Sequence, residues 1–307
     1  MKKQVINLQP GAKVTGKWNG KTYTIIRELG SGACGTVFLC RNENGRKYAL
    51  KAGEDSSRMM MEVNMLKKFS KVQGVKLGPS FVDVDDWTRI GGKAMPFYVM
   101  EYIDGIPLEQ FLKGKTKDWI GICTLQLLSD LDHLHQAGYV FGDLKTDNLL
   151  MSASKVRWID VGGVTALGRA IKEYTEFYDR GYWGMGSRRA EPSYDLFAVT
   201  MIMMEMAYPK RFERGSSPKK TLENKLQQAD LLKPYRRFIQ DCWRGRYINS
   251  REMKQALSGV LMSSKKAQNN QTRYVRRKKE DMETKEWTVF SLVSALLFGV
   301  SIISFFI

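Results

Sequence analysis

Histidine and cysteine are scarce in this sequence, and the few present are poorly placed for metal or nucleophilic chemistry. The two histidines, His133 and His135, sit on one short stretch. Catalysis through a histidine base or a histidine-rich metal site therefore has almost nothing to work with. The four cysteines, Cys34, Cys40, Cys123 and Cys242, lie far apart and make no CxxC pair. This argues against a disulfide framework or zinc ribbon and favours a reducing compartment. Proline and glycine, 8 and 27 in 307 residues, are too few and too aperiodic for a fibrous chain. The start, MKKQVINLQPG, has basic residues but no apolar run behind them, so no secretory signal is expected.

What is present is a folding composition: 43% hydrophobic and 26% charged residues, enough for one large domain or two lobes. The net charge of +17 points to anionic surroundings: a membrane face, nucleic acid or phosphorylated ligands. Residues 1–100 carry a net +9, residues 101–262 and 263–286 +4 each, and the last 21 none. Those last residues, Trp287 to Ile307, are apolar on every side and would rise about 31 Å as a helix, the thickness of a bilayer core. A single transmembrane helix is expected over 287–307. Residues 263–286 before it form a polar, basic tether with Arg276-Arg277-Lys278-Lys279. Basic residues there favour a cytoplasmic catalytic domain at the cell membrane and contact with anionic lipid. Ser291, Ala295 and Gly299 recur every four residues and would let two such helices approach closely, which leaves a dimer open.

Along the chain, residues 21–52 read as strand, glycine-rich turn, strand, Asn44-Gly45 turn and strand. Residues 56–70 read as a helix with Met60, Val63, Leu66 and Phe69 on one face. FVDVD and PFYVMEY suggest two further strands, and helical patterns follow at 118–137 and 195–208. The methionines of 201–206 read as core. A small β-rich lobe followed by a helical lobe is the coarse architecture.

The chemistry lies in an ordered set of polar residues. Gly30-Ser31-Gly32-Ala33-Cys34-Gly35-Thr36-Val37 is GxGxxGxV, weak evidence alone because the dinucleotide fingerprint shares its spacing. The dinucleotide motif needs a helix afterwards; TVFLC follows here, so a hairpin over phosphates is the better reading. Ala49-Leu50-Lys51 then puts a lysine on the next strand, and Glu62 lies on the following helix, placed to pair with it. Asp143-Leu144-Lys145-Thr146-Asp147-Asn148 gives DxKxxN, and Asp160-Val161-Gly162 comes twelve residues after Asn148. Phosphoryl transfer to a hydroxyl needs these parts: a phosphate cover, a cationic clamp, a carboxylate near the acceptor, and oxygen ligands for Mg²⁺. Any one of them alone would pass for a solvated charge.

With these pieces in this order, the chain resembles the eukaryotic-like bacterial serine/threonine protein kinases over about residues 21–262, and within them a YabT-like, membrane-anchored subgroup of spore-forming bacteria. The resemblance implies an α+β, two-lobed protein-kinase-like fold. Its β-rich N-lobe would cover about 21–103 and its helical C-lobe about 104–262, with residues 1–20 an N-terminal extension and ATP in the cleft. Gly30, Gly32 and Gly35 would cover the phosphates, with Leu29 and Ser31 also at the nucleotide. Lys51 would hold the α- and β-phosphates with Glu62 as its partner. Val37, Ala49 and Leu150 would sandwich the adenine, Met100 would be the gatekeeper, and the backbones of Glu101 and Ile103 would meet the adenine edge. Asp143 would orient the substrate hydroxyl and accept its proton, Lys145 would stabilise the transferring group, and Asn148 and Asp160 would ligate Mg²⁺. Asp195 would hold the catalytic loop from beneath. Protein substrates, including the chain itself, are the implied partners.

The departures matter equally. The usual His-Arg before the catalytic Asp is Phe141-Gly142, so control through a phosphorylated activation loop is in doubt and activity without it is expected. Thr165 and Thr175 remain candidates for modification. Val161 replaces the usual Phe, and no Ala-Pro-Glu motif stands at the right place, so the acid that would pair with Arg246 has no assignment. Gly142-Asp143 with Asn148 also resembles the loop of small-molecule kinases, and a nucleotide-binding scaffold is the other alternative. Lys233-Pro-Tyr-Arg-Arg-Phe and Cys242-Trp-Arg-Gly-Arg-Tyr interleave basic and aromatic residues; inward aromatics with solvated bases are preferred there, and DNA stays open as a regulator.

Overall fold

Alternation of apolar residues with period two organises the first third of the chain. In the computed structural model, which describes residues 6–32, 34–70, 76–88, 92 and 94–266, six strands form one antiparallel sheet. They are β1 (Lys13–Thr15), β2 (Thr22–Gly32), β3 (Gly35–Asn42), β4 (Lys47–Ala52), β5 (Phe81–Thr88) and β6 (Ala94–Glu101), in the order β1-β2-β3-β4-β6-β5. Gly45 takes φ +76° in the tight β3–β4 turn, as the Asn-Gly pair predicts. Ile25, Phe38, Leu50, Phe97 and Val99 bury one sheet face almost completely, each contributing about 1.5–3 kcal/mol.

The sheet begins earlier than residue 21. Ile6 and Val14 belong to its core, and β1 pairs with β2. The buried Asp85 carboxylate accepts the backbone N–H groups of Trp18 and Asn19, closing the intervening turn.

Helix α1 (Ser56–Phe69) starts at Asp55, whose side chain accepts the Arg58 N–H, a cap worth about 1 kcal/mol. Its buried residues are Met59, Glu62, Val63, Leu66 and Phe69, while Met60 is 42% exposed. The expected face is thus correct from Val63 onward but starts one residue too late. Three successive methionines gave hydropathy no means of choosing among them.

The helical lobe is built on α3 (Lys117–Gln136) and α4 (Pro192–Ala207), after the short α2 (Leu108–Leu112). Every residue of α4 from Tyr194 to Glu205 is buried, as befits a helix apolar all round. Met201, Met203 and Met204 are fully enclosed in this core, as the sequence suggests. Helices α5 (Pro218–Gln228) and α6 (Arg236–Trp243) cover its far side. The short strands β7 (Ile106–Pro107), β9 (Leu149–Ser152) and β10 (Lys155–Trp158) form one small sheet, and β8 (Tyr139–Val140) and β11 (Thr165–Ala166) another. They bracket the segments that carry the polar motifs.

The chain divides into two units, Met1–Leu257 and Ser258–Ile307. Of the second, residues 258–266 are helical, and the rest, with most of the expected tether and the whole of 287–307, lies outside the described residues. Among the described residues no helix is long and apolar enough to cross a membrane.

Candidate active site

A cleft of about 650 Å³ opens between the sheet and the helical lobe, a size suited to a nucleotide-sized ligand. Leu29, Gly30, Ser31, Gly32, Gly35, Val37, Ala49 and Lys51 line it from the sheet, as do Met100 and Glu101 at the end of β6, with Ile103 from the chain just after that strand. Asp143, Lys145, Asn148, Leu150 and Asp160 line it from below. Every candidate named from the sequence for nucleotide or catalysis therefore faces one cavity, except Glu62, which stands behind Lys51. The sequence reading missed Arg27, Pro79, Tyr102, Gly105, Ile159 and Glu173, which also line it, as do Cys34 and Asp147, residues inside the quoted motifs to which no role was given.

The three loop glycines differ in cause. Gly35 has φ +128°, and a Cβ there would lie 2.2 Å from the Ala52 carbonyl oxygen, so the hairpin itself demands glycine. A Cβ on Gly30 or Gly32 would meet nothing within 4 Å. The fold does not need glycine at those two positions; bare backbone there leaves room for a group to approach the loop.

Lys51 Nζ donates to Glu62 Oε2 at 2.6 Å, and both side chains are buried. Burial works against the lysine charge, but Asp160 and Glu62 outweigh it and hold the ammonium pKa above its ordinary value. Tyr98 Oη donates to the same Glu62 oxygen at 2.6 Å. That tyrosine pairs with Lys51 across β4 and β6, a placement no motif announces.

The catalytic loop hangs from α4. The fully buried Asp195 carboxylate accepts the N–H groups of Phe141 at 2.7 Å and Gly142 at 3.0 Å, and binds His135 Nε2 at 2.9 Å. Gly142 has φ +82°, and a Cβ there would lie 2.6 Å from the Gly163 carbonyl oxygen. This explains the absent arginine: no side chain fits where the loop passes so close to Gly163.

Beyond that turn, Asp143 receives Lys145 Nζ at 2.5 Å and the Thr175 hydroxyl at 3.0 Å on separate carboxylate oxygens. Asn148 spends its amide nitrogen on the Asp143 carbonyl at 2.9 Å, which leaves its amide oxygen for another partner. With the Asp160 carboxylate in the same cleft, the donor set is hard oxygen, as a magnesium ion requires.

The segment before α4 differs from expectation. Thr165 is fully buried in β11 and donates to Gly163, and Thr175 is engaged with Asp143, so neither hydroxyl stands free in this arrangement. Arg246 pairs locally with Asp241 at 2.9 Å, the acid the sequence left unassigned. Buried Asp179 takes over much of the anchoring, accepting from Gly181, Tyr182, Arg188 and Tyr194. Arg180 joins Glu191 and Ser193. Buried Glu205 binds Thr146, Tyr178 and Arg211, tying the catalytic loop to α4. In the basic and aromatic stretches Tyr235 and Phe238 are buried, Trp243 donates to Thr200, and Arg237 is 89% exposed at its side chain. The buried rings thus face inward and Arg237 outward, while half-buried Arg236 donates to the carbonyls of Leu226 and Gln227 in α5.

The protein kinase domain family matches residues 23–276. The serine/threonine-protein kinase YabT of Bacillus subtilis is 48% identical over 251 residues, 81% of this chain and 74% of that one. The serine/threonine-protein kinase PknG of Mycolicibacterium smegmatis is 28% identical over 78% of this chain and 32% of its own. The kinase sid1 of Schizosaccharomyces pombe is 28% identical over 63% and 43% respectively. A cleft that joins Lys51–Glu62 to Asp143, Asn148 and Asp160 agrees with these matches, and the chain belongs to the protein kinase family as a bacterial serine/threonine protein kinase similar to YabT.

Proposed function

We propose that the chain transfers the γ-phosphate of Mg-ATP to serine and threonine hydroxyls of proteins, its own included, at the cytoplasmic face of the cell membrane. The observation that carries this is Asp143, whose carboxylate is fixed by Lys145 and Thr175 in the same cleft as the buried Lys51–Glu62 pair. Lys51 supplies a fixed positive charge for phosphate oxygens in a place largely shielded from water, where charge counts for more. The glycine-rich hairpin offers bare backbone over them, and Val37, Ala49 and Leu150 provide apolar faces for a base. Asp143 orients the acceptor hydroxyl and takes its proton, and Lys145 offsets charge on the group in transit. Asn148 and Asp160 would hold magnesium, which when bound would offset negative charge on the phosphates. The Lys145 pattern two residues after Asp143 favours serine and threonine over tyrosine.

The test is transfer of labelled γ-phosphate by the purified full chain to itself and to a generic basic protein, beside Asp143→Asn and Asp160→Asn. Phosphoserine or phosphothreonine that disappears in both variants and on chelation of magnesium is expected. ATP consumption without labelled protein would point to a small-molecule acceptor, and nucleotide binding without transfer to a scaffold.

The net charge of +17 supports a second element, an anionic partner such as DNA that regulates the kinase. Because Tyr235 and Phe238 face inward, such binding rests on phosphate contacts and not on base stacking. Affinity should then fall steeply with salt; absent or salt-insensitive binding by the full chain would refute it. The positive residues before 287 likewise support membrane attachment with anionic lipid at the same face, tested by fractionation of cells expressing the chain with and without residues 287–307.

A further inference from the structure

Glu173 projects from the segment between Asp160 and α4 into the mouth of the cleft. Two parts of the sheet-rich lobe reach its carboxylate. The Arg58 guanidinium makes an ion pair with Oε1, and the Cys34 thiol of the glycine-rich hairpin approaches the same oxygen at 3.6 Å. Arg58 is oddly sited for its own helix. It lies in the first turn of α1, where a cation opposes the helix dipole, and the turn itself holds no acidic residue beyond the Asp55 cap ahead of it. Its useful partner is outside the helix. One turn further along the same face stands Glu62, whose reach to Lys51 depends on where α1 sits. On the other side, Glu173 is two residues before Thr175, which holds Asp143.

The usual means of joining these parts is closed in this chain. Gly142 leaves no room for the arginine that would bind a phosphorylated loop, Thr165 is buried, and Thr175 is occupied. We infer that Glu173 and Arg58 are positioning residues, a permanent ion pair that holds α1 and the Asp143 side together and does without modification what a loop phosphate does elsewhere. A fixed carboxylate carries about half the charge of a phosphate, and a partly exposed pair is weaker than a buried one. The strut therefore sets the rate without being indispensable.

This deepens the reading that the kinase works without loop phosphorylation. The test uses the full chain produced with a co-expressed phosphatase, shown by mass spectrometry to carry no phosphate. Initial rates on a basic protein substrate are compared for the unmodified chain, Glu173→Gln, Arg58→Glu, and the exchange Arg58→Glu with Glu173→Arg. The unphosphorylated parent should be active. Each single change should lower kcat by about three- to tenfold, as loss of one half-exposed charged contact would, with the melting temperature and the KM for ATP little altered. The exchanged pair should recover most of the loss in kcat while the melting temperature stays level across the whole set; a merely structural pair would instead move the melting temperature with the rate. Singles within twofold of the parent, or an exchange no better than the singles, overturn the strut while leaving phosphate-independent activity intact. A parent inactive until its loop is phosphorylated overturns both.

Discussion

Replacing Asp195 by Asn tests how the catalytic loop is held. The wild-type carboxylate offers Oδ2 to the Phe141 N–H and His135, and Oδ1 to the Gly142 N–H, all without solvent. Asparagine keeps the shape but turns one acceptor into a donor. Whichever oxygen is replaced, a buried backbone N–H then faces another donor, which costs about 1–3 kcal/mol. The surviving bonds also lose their ionic character and weaken by a further ~1 kcal/mol. The sum, about 2–4 kcal/mol, is within what a domain of this size tolerates, so the variant should fold. Its melting temperature should drop by about 5–15 °C. The turn through Phe141 and Gly142 aims Asp143, so kcat should fall by at least about tenfold, about 1.4 kcal/mol of barrier. Differential scanning fluorimetry and initial-rate kinetics on the same preparation would measure both. An unchanged midpoint with an unchanged kcat would show that the loop is held by something other than this carboxylate.

Other expectations follow from the same geometry. Gly35→Ala should lower the melting temperature because its Cβ meets the Ala52 carbonyl, whereas Gly30→Ala, with open space around it, should leave stability intact and act on the KM for ATP. Gly142→Arg restores the residue other kinases have, yet it should cost several °C in melting temperature and most activity, because φ +82° and the Gly163 carbonyl forbid a side chain. Tyr98→Phe removes one of two hydrogen bonds to buried Glu62 and should lower kcat about three- to tenfold, less than Lys51→Met, which removes the clamp itself.

Much of the site was legible because its parts are spaced along the chain in the order the chemistry needs them. GxGxxGxV before a strand, Lys51, Glu62, DxKxxN and Asp160 could be read without coordinates, and so could the strand pattern, since alternation and the Asn-Gly turn are local signals. The sequence also determined, through the Phe141-Gly142 pair, that a loop arginine is missing. What it could not determine was which residues from distant segments meet. Tyr98 reaches Glu62, Thr175 reaches Asp143 and Glu173 takes Arg58 only because sheet pairing and lobe packing close separations of 32 to 115 residues. Hydropathy could not choose Met59 over Met60, because three methionines in a row look alike until a neighbouring strand decides which one is enclosed. The reason for Gly142 was likewise invisible: its motif showed only the absence of arginine, whereas the 2.6 Å approach of the Gly163 carbonyl is a property of two loops folded against each other.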